Sequence, residues 1–412
     1  MKLILILISI GGVFLSCRRP ADPIIEEHPL TYFQWGTFDT GGECLDLEVL
    51  DSVVVAAANY NGFFVLSIDE QNQSLDTIYH GVDLDPTVGD NRAERIAISK
   101  KHGIVFILDK YDKIWMHKLN GTQYLDNWVE DCYNGVWIST ALDDREDGIG
   151  IFSLVKHSSA QSDTGGTVGE YDQYSTSLVW KNLTDVNSED VFTNSGVPTC
   201  EYTANFSVLP TEIYFSDGLL SIANGELGVS ILKQTSQNIC VNEYGTEISE
   251  FIPTGNYDED REFCTTPPSP GPWITEDGLG GEFEPAGGFN PSVFSSFDTP
   301  GEVKTVYSFE STILAGLSKS NGCHIQFIET NGELLNHYRI GEGYSVSGID
   351  FKNNILALAC GHDGVILYEW DGNNFPSLLG KISTSYANKI KLNNNRVFVA
   401  TEDGIDIFEI ER

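Results

Sequence analysis

The residues best equipped for chemistry in this chain are its carboxylates, among them the run Asp143-Asp144-Arg145-Glu146-Asp147. Together with Asp83-Leu84-Asp85 it offers hard oxygen ligands in loop-like sequence, the donor type that calcium takes. Neither stretch fits the twelve-residue calcium loop. Calcium is therefore the one cofactor the sequence suggests, with Asp143, Asp144, Glu146 and Asp147 as its ligands. The eight histidines are scattered, and none falls in the His-Glu-x-x-His pair that sets two imidazoles on one helical face for zinc. The chain has no Gly-x-Ser-x-Gly nucleophile elbow, no phosphate-cradling glycine loop before a lysine and no Cys-x-x-Cys. Paired carboxylates suit glycosidic cleavage, but with 60 acidic residues such pairs arise by abundance rather than geometry. No catalytic residue is assigned.

Residues suited to binding are easier to name. His362 beside Asp363, and Glu402 beside Asp403, fall in tight turns between apolar runs. A long irregular stretch near 253–300 carries Tyr257, Trp273, Phe283 and Phe289 among acids and prolines. Aromatics beside acids on a rigid scaffold suit contact with a carbohydrate or a peptide. Of the eight cysteines, Cys44 and Cys360 sit in apolar runs and read as buried free thiols. Cys200, Cys240 and Cys264 lie in loop-like sequence, and a Cys240–Cys264 bridge would pin the base of the long stretch, although spacing alone does not fix the pairing.

The elements that position these residues begin with an export signal. Met1-Lys2 precedes an apolar run from Leu3 to Phe14 that is too short to span a bilayer, which reads as a secretory signal over residues 1–16. Phe14-Leu15-Ser16-Cys17 follows, and a small residue before cysteine at the cleavage point resembles the lipobox of bacterial lipoproteins. That resemblance implies lipid on Cys17, residues 17–29 as anchor and tether, and a place in the cell envelope at the outer membrane of a Gram-negative bacterium. Plain secretion is the alternative. No other stretch approaches the ~20 apolar residues of a membrane helix, so the anchor is the only expected membrane contact. Twenty-four basic residues against 60 acidic ones leave a net charge of −36, which repels phosphate backbones and excludes nucleic acid as a partner.

Two short apolar strands joined by a tight turn recur along the rest of the chain. The clearest copies run Ile355 to Cys360, turn through Gly361-His362-Asp363-Gly364 and continue to Trp370, then run Val397 to Ala400, turn through Thr401-Glu402-Asp403-Gly404 and continue to Ile410. Related turns lie at Asn61-Gly62, Asp112-Lys113, Asp147-Gly148, Leu227-Gly228 and Asn321-Gly322, which makes seven units. Gly322 to Gly364 is 42 residues and Gly364 to Gly404 is 40, the period of a four-stranded propeller blade. The expected fold is all-β, a β-propeller of seven four-stranded blades over residues 30–412. The strand near 30–38 completes the last blade and removes an exposed edge. The stretches near 182–210 and 253–300 are expected to connect blades, on the same face as the acidic turns. Asn61-Gly62-Phe63-Phe64-Val65-Leu66-Ser67-Ile68-Asp69 resembles the unit of the LVIVD-repeat proteins, exported bacterial propellers, and that resemblance implies the fold without supplying catalytic residues.

The expected function is a non-catalytic scaffold, anchored outside the cytosol, that binds a protein or glycan. The alternative is an exported propeller hydrolase or lyase using carboxylates or a metal in the central channel, because propellers host many chemistries.

Overall fold

The computed structural model describes residues 30–81, 92–109, 113–119, 123–124, 135–146, 148–157, 176–184, 203–206, 210–233, 239–241, 282–284 and 294–411. The chain enters at β1 (Thr31–Phe38) and then lays down antiparallel sheets one after another. The first holds β2 (Asp46–Leu50), β3 (Val53–Ala57), β4 (Phe63–Asp69) and β5 (Ser74–Gly81). The second holds β6 (Ala93–Ser99), β7 (Ile104–Asp109), β8 (Lys113–Lys118) and β9 (Gln123–Tyr124). The third holds β10 (Gly135–Arg145), β11 (Gly148–His157), β12 (Thr176–Thr184) and β13 (Thr203–Phe206). In the fourth, β14 (Glu212–Ser216), β15 (Leu219–Ala223) and β16 (Val229–Lys233) are followed by a separate pair, β17 (Ile239–Val241) and β18 (Glu282–Glu284), before β19 (Ser295–Phe297) returns to the sheet. The fifth holds β20 (Val303–Phe309), β21 (Thr312–Leu317), β22 (Cys323–Ile328) and β23 (Leu334–Ile340). The sixth holds β24 (Gly348–Lys352), β25 (Ile355–Ala359), β26 (Val365–Glu369) and β27 (Ser377–Ile382). The last has β28 (Lys389–Asn393), β29 (Arg396–Thr401) and β30 (Gly404–Glu411), with β1 as its fourth strand.

First strands meet in order around an axis: β2 with β6, then β10, β14, β20, β24 and β28, which returns to β2. Seven four-stranded sheets closed in this way form a β-propeller, each sheet a blade. The pairing of Thr31 with Glu411 through Phe38 with Ile405 is the closure expected of the N-terminal strand. Closure also buries side chains: Trp35 packs between the seventh and first blades, and Tyr32 between the sixth and seventh.

Second and third strands are apolar on both faces because each blade is covered on both sides, as in Ile355–Ala359, buried throughout. Fourth strands line the outer rim and are mostly exposed, as in Leu334–Ile340. At one end of the blades lie the turns between first and second strands. At the other end lie the turns between second and third strands, here called the inner hairpin turns. Five of these are built alike. Gly62, Gly228, Gly322 and Gly364 adopt φ of 71°, 77°, 76° and 76°, and Gly404 adopts 127°, values that favour glycine. A Cβ on Gly228, Gly322, Gly364 or Gly404 would stand 2.2–2.3 Å from a carbonyl oxygen of the chain leaving the neighbouring fourth strand or lying at its end. Backbone bridges Asn59–Ala93, Gly225–Val303 and Gly361–Ala387 pin three of these turns to the next blade.

Three expectations are corrected. The Asp147-Gly148 turn joins β10 to β11, the first and second strands of its blade, so it lies at the end opposite the inner hairpin turns. The inner hairpin connection of that blade falls at 158–175, outside the described residues. The stretch near 182–210 does not connect blades: it contains the end of β12 and all of β13, third and fourth strands of one blade. Likewise β16 pairs with β19, so 234–294 is an insertion inside the fourth blade. Both long segments leave from the end opposite His362 and Glu402. The physical reasons are plain. An Asp-Gly pair marks any tight antiparallel turn without saying which strands it joins, and a fourth strand such as Ser295-Ser296-Phe297 is too short and polar to stand out from loop sequence.

Candidate functional site

A first strand pairs only with its second strand, so its other edge faces the axis with N–H groups that need partners. The preceding blade supplies them. Asp46 Oδ2 accepts from Ile96 N at 3.0 Å, Ser139 Oγ from Ile213 N at 3.2 Å, Glu212 Oε2 from Val306 N at 3.1 Å and Asp350 Oδ2 from Leu392 N at 2.6 Å. Around these tethers lies a central channel of about 350 Å³.

Its charges answer one another. Lys389 of the last blade reaches Glu212 of the fourth, on the far side of the ring, and Arg95 of the second blade meets the same carboxylate at 3.2 Å. One level along the strands, Lys391 pairs with Glu48. Burial alone would raise the Glu212 carboxyl, but Lys389 and Arg95, with hydrogen bonds from Lys389 and Thr305, outweigh it and hold the group below the usual carboxylate range. For Asp46 burial wins over the same two cations, and its carboxyl is raised. Burial would lower Lys391, yet Glu48 and Asp350 hold its ammonium charged. The lining carries five acids, Asp46, Glu48, Asp144, Glu212 and Asp350, against five bases, Arg95, Lys100, Lys352, Lys389 and Lys391. In a chain of net charge −36 this balance is local. The channel acts as a polar plug that joins blades across the axis.

The rim of inner hairpin turns has a different character. Tyr60 and Leu227 stand at turn tips, 55% and 54% exposed, and Arg92 lies 3.6 Å over the Tyr60 ring. Beside them Glu226, His362, Glu402 and Asp403 are exposed. His362 meets the edge of Tyr386 with ring centroids 4.6 Å apart, and Asp363 pairs with Lys381 at 3.6 Å. The Asp403 N–H donates to Thr401 Oγ1 at 3.3 Å, leaving its carboxylate outward. The four turn residues named from sequence therefore share one face, on adjacent blades.

The acidic run is dispersed. Asp143 pairs with Arg145 at 3.4 Å, Glu146 with Lys101 at 3.2 Å, and Asp144 accepts from Ser99 Oγ at 2.6 Å and Lys101 N at 3.0 Å. The Asp144 and Glu146 contacts stitch the third blade to the second. Among the described residues no three His, Cys, Asp or Glu side chains gather as a metal ion requires. Asp147, Cys17, Tyr257, Cys264, Trp273 and Phe289 lie outside the described residues. Phe283 lies in β18 opposite Cys240 of β17, so Cys240 is in a short strand rather than a loop. Cys44 and Cys360 are buried thiols as expected, joined by Cys323, and burial raises all three.

Sequence reasoning named a central channel but none of the residues that line it. The available signal was charge at alternate positions of otherwise apolar strands, as in Asp46 and Glu48 or Lys389 and Lys391. It gains meaning only once those strands are known to be innermost.

No family model and no curated protein matches the sequence. Solved structures do match in fold. The computationally designed Ika8 protein is 11% identical at a TM-score of 0.51, covering 91% of this chain and 99% of that one. The WD40 propeller domain of Doa1 is 12% identical at 0.53, covering 93% and 97%. The WD40 repeats of RRP9 are 10% identical at 0.55, covering 93% and 98%. At such identities the likeness is one of fold alone.

Proposed function

We propose that this chain is an exported, lipid-anchored propeller that captures a protein partner on its rim of inner hairpin turns. The observation that carries the reading is the pair of large apolar side chains, Tyr60 and Leu227, held out at turn tips among exposed acids. Bridges Asn59–Ala93 and Gly225–Val303 fix the backbones of those same turns, so little ordering entropy opposes binding. Apolar anchors with an acidic surround suit a protein surface that is apolar at its centre and basic at its edge.

Export and anchoring are supported by the basic start, the apolar run to Phe14 and the lipobox-like Cys17. The entry point of the chain fits them. Thr31 pairs with Glu411, at the end of β30 remote from Gly404, so the tether joins the propeller opposite the rim. An anchor at Cys17 then turns the rim away from the lipid.

Two variants test the reading. Cys17→Ser is expected to move the protein from the membrane fraction to the soluble one; retention in the membrane sinks the anchor. Wild type is expected to retain a protein partner through purification and Tyr60→Glu with Leu227→Glu to lose it, with stability changed by no more than about 0.5 kcal/mol per site. Phe375→Glu, at an exposed site on the opposite end, is the control that keeps it. A partner retained by the double variant sinks the rim.

A further inference from the structure

Third strands bury apolar side chains against the preceding blade: Phe64 and Leu66 in the first, Ile366 and Tyr368 in the sixth, Phe408 and Ile410 in the last. The fifth blade breaks this pattern with His324 and Gln326. Their cross-strand partners are Arg339 and His337, which completes a polar square on one face of the sheet. Between this square and the fourth blade lies an open groove of about 600 Å³.

The square is built rather than incidental. Phe297, His324 and His337 stack in series, with centroids 5.3 and 5.0 Å apart and interplanar angles of 21° and 14°. Gln326 Nε2 donates to Phe327 O at 2.9 Å and Leu335 O at 3.0 Å, which turns its Oε1 to accept from His324 Nε2 at 3.4 Å. That fixes the tautomer and leaves Nδ1 of His324, a residue only 5% exposed, buried without a partner among the described residues. The Arg339 guanidinium donates to Asn321 O at 3.3 Å and pairs with Glu342 at 3.1 Å, but its buried Nε–H has no partner among them either. Two unpartnered polar atoms in one wall are costly unless something meets them.

We propose that this groove binds the oxyanion of a small ligand, a phosphate or carboxylate group, which accepts from Arg339 Nε–H and from a protonated His324 Nδ1–H, with exposed His337 as a further ring-nitrogen contact. The body of the ligand lies along Phe297 and Leu334. Burial, with Arg339 nearby, lowers the His324 imidazole and favours its uncharged form in the free protein, so binding of the anion draws in a proton. Among the described residues the charged groups facing the imidazoles are Arg339 from β23 and Asp298 from the segment after β19, and two acids oppose the anion, Asp298 and the Glu342 that pairs with Arg339. Affinity therefore rises as pH falls, by about tenfold per pH unit for each proton taken up.

The test is a titration of the full chain, isotope-labelled at histidine, with inorganic phosphate and separately with acetate, at about pH 6 and about pH 8. The His324 and His337 signals are expected to move saturably, and the other six to stay in place. Binding is expected at least about tenfold weaker at the higher pH. Response to phosphate alone, or to both anions, supports the site and tells its class. Arg339→Gln is expected to abolish the response; because His337 is exposed, His337→Gln provides a variant whose fold is safe and whose binding is weakened. No movement with either anion, a pH-independent affinity, or unchanged binding in both variants overturns the proposal.

Discussion

Glu212→Gln is expected to destabilise the propeller by about 3 kcal/mol in denaturant unfolding at neutral pH, because it removes the buried counter-charge that half-buried Lys389 and Arg95 share. The backbone tether to Val306 N survives, since the amide oxygen still accepts, so the loss reports the ion pairs. Replacing all three charged groups together, with Glu212→Leu, Lys389→Met and Arg95→Met, is expected to be less damaging than the single change. The pH dependence has a definite sign. Glu212 is held below its unfolded value, so its contribution is complete above the ordinary glutamate value of about 4.3 and is lost as pH falls through its lower folded value. Wild type should show this loss in acid, and Glu212→Gln should not. Asp46 is raised, so any stability it lends is present at low pH and gone once pH exceeds its folded value. Asp46→Asn is thus expected to stay much closer to wild type at neutral pH than Glu212→Gln does. Equal losses in the two variants would mean that the channel charges do not divide their roles in this way.

The second large effect is expected at an inner hairpin turn. Gly364 adopts φ of 76°, and a Cβ there would stand 2.3 Å from Ile382 O and 3.3 Å from Ser383 Cα. The strain of a left-handed residue is about 1–3 kcal/mol, and the backbone collision adds to it because neither neighbour is a flexible side-chain end. Gly364→Ala should therefore cost about 3 kcal/mol or more, read as a lower midpoint of unfolding. Gly372 separates the two causes. Its φ is 85°, but the atom nearest to a methyl group at that position would be Phe309 Cε2, at an ordinary 3.5 Å. Gly372→Ala is expected to lose only about 1 kcal/mol. If the two variants lose the same amount, close approach to the fourth strand is not what these turns require glycine for.

What can be read from the chain follows burial. Second and third strands such as Arg396–Thr401 and Gly404–Glu411 declare themselves as apolar runs around a glycine turn, and they set the period that leads to the propeller. The closing strand is legible because the last repeat shows only three strands and the apolar and aromatic run near 30–38 has no other partner in the repeat. Short inserted fourth strands are not legible: Ser295–Phe297 has two serines in three residues and owes its place to pairing with β16. For that reason sequence reasoning puts the 234–294 insertion at the wrong end of its blade. The turn residues His362, Asp363, Glu402 and Asp403 stand out because they interrupt apolar runs. Tyr60 and Leu227 do not, because an apolar residue beside a glycine turn looks like more strand, and only its exposure of 55% or 54% distinguishes it. The His324–Arg339 square is hidden for a further reason: its members come together through strand register, which a linear motif cannot show.

The central claim, that the rim of inner hairpin turns is the face that meets a partner, is tested most directly by placing a photo-activated cross-linking residue at one position at a time in the full chain. Positions 60, 227 and 402 sample the rim, and 353 and 375 sample the opposite end. The account predicts one and the same protein adduct from the rim positions and none of it from the other two. The same adduct arising from 353 or 375, with none from the rim, would contradict it.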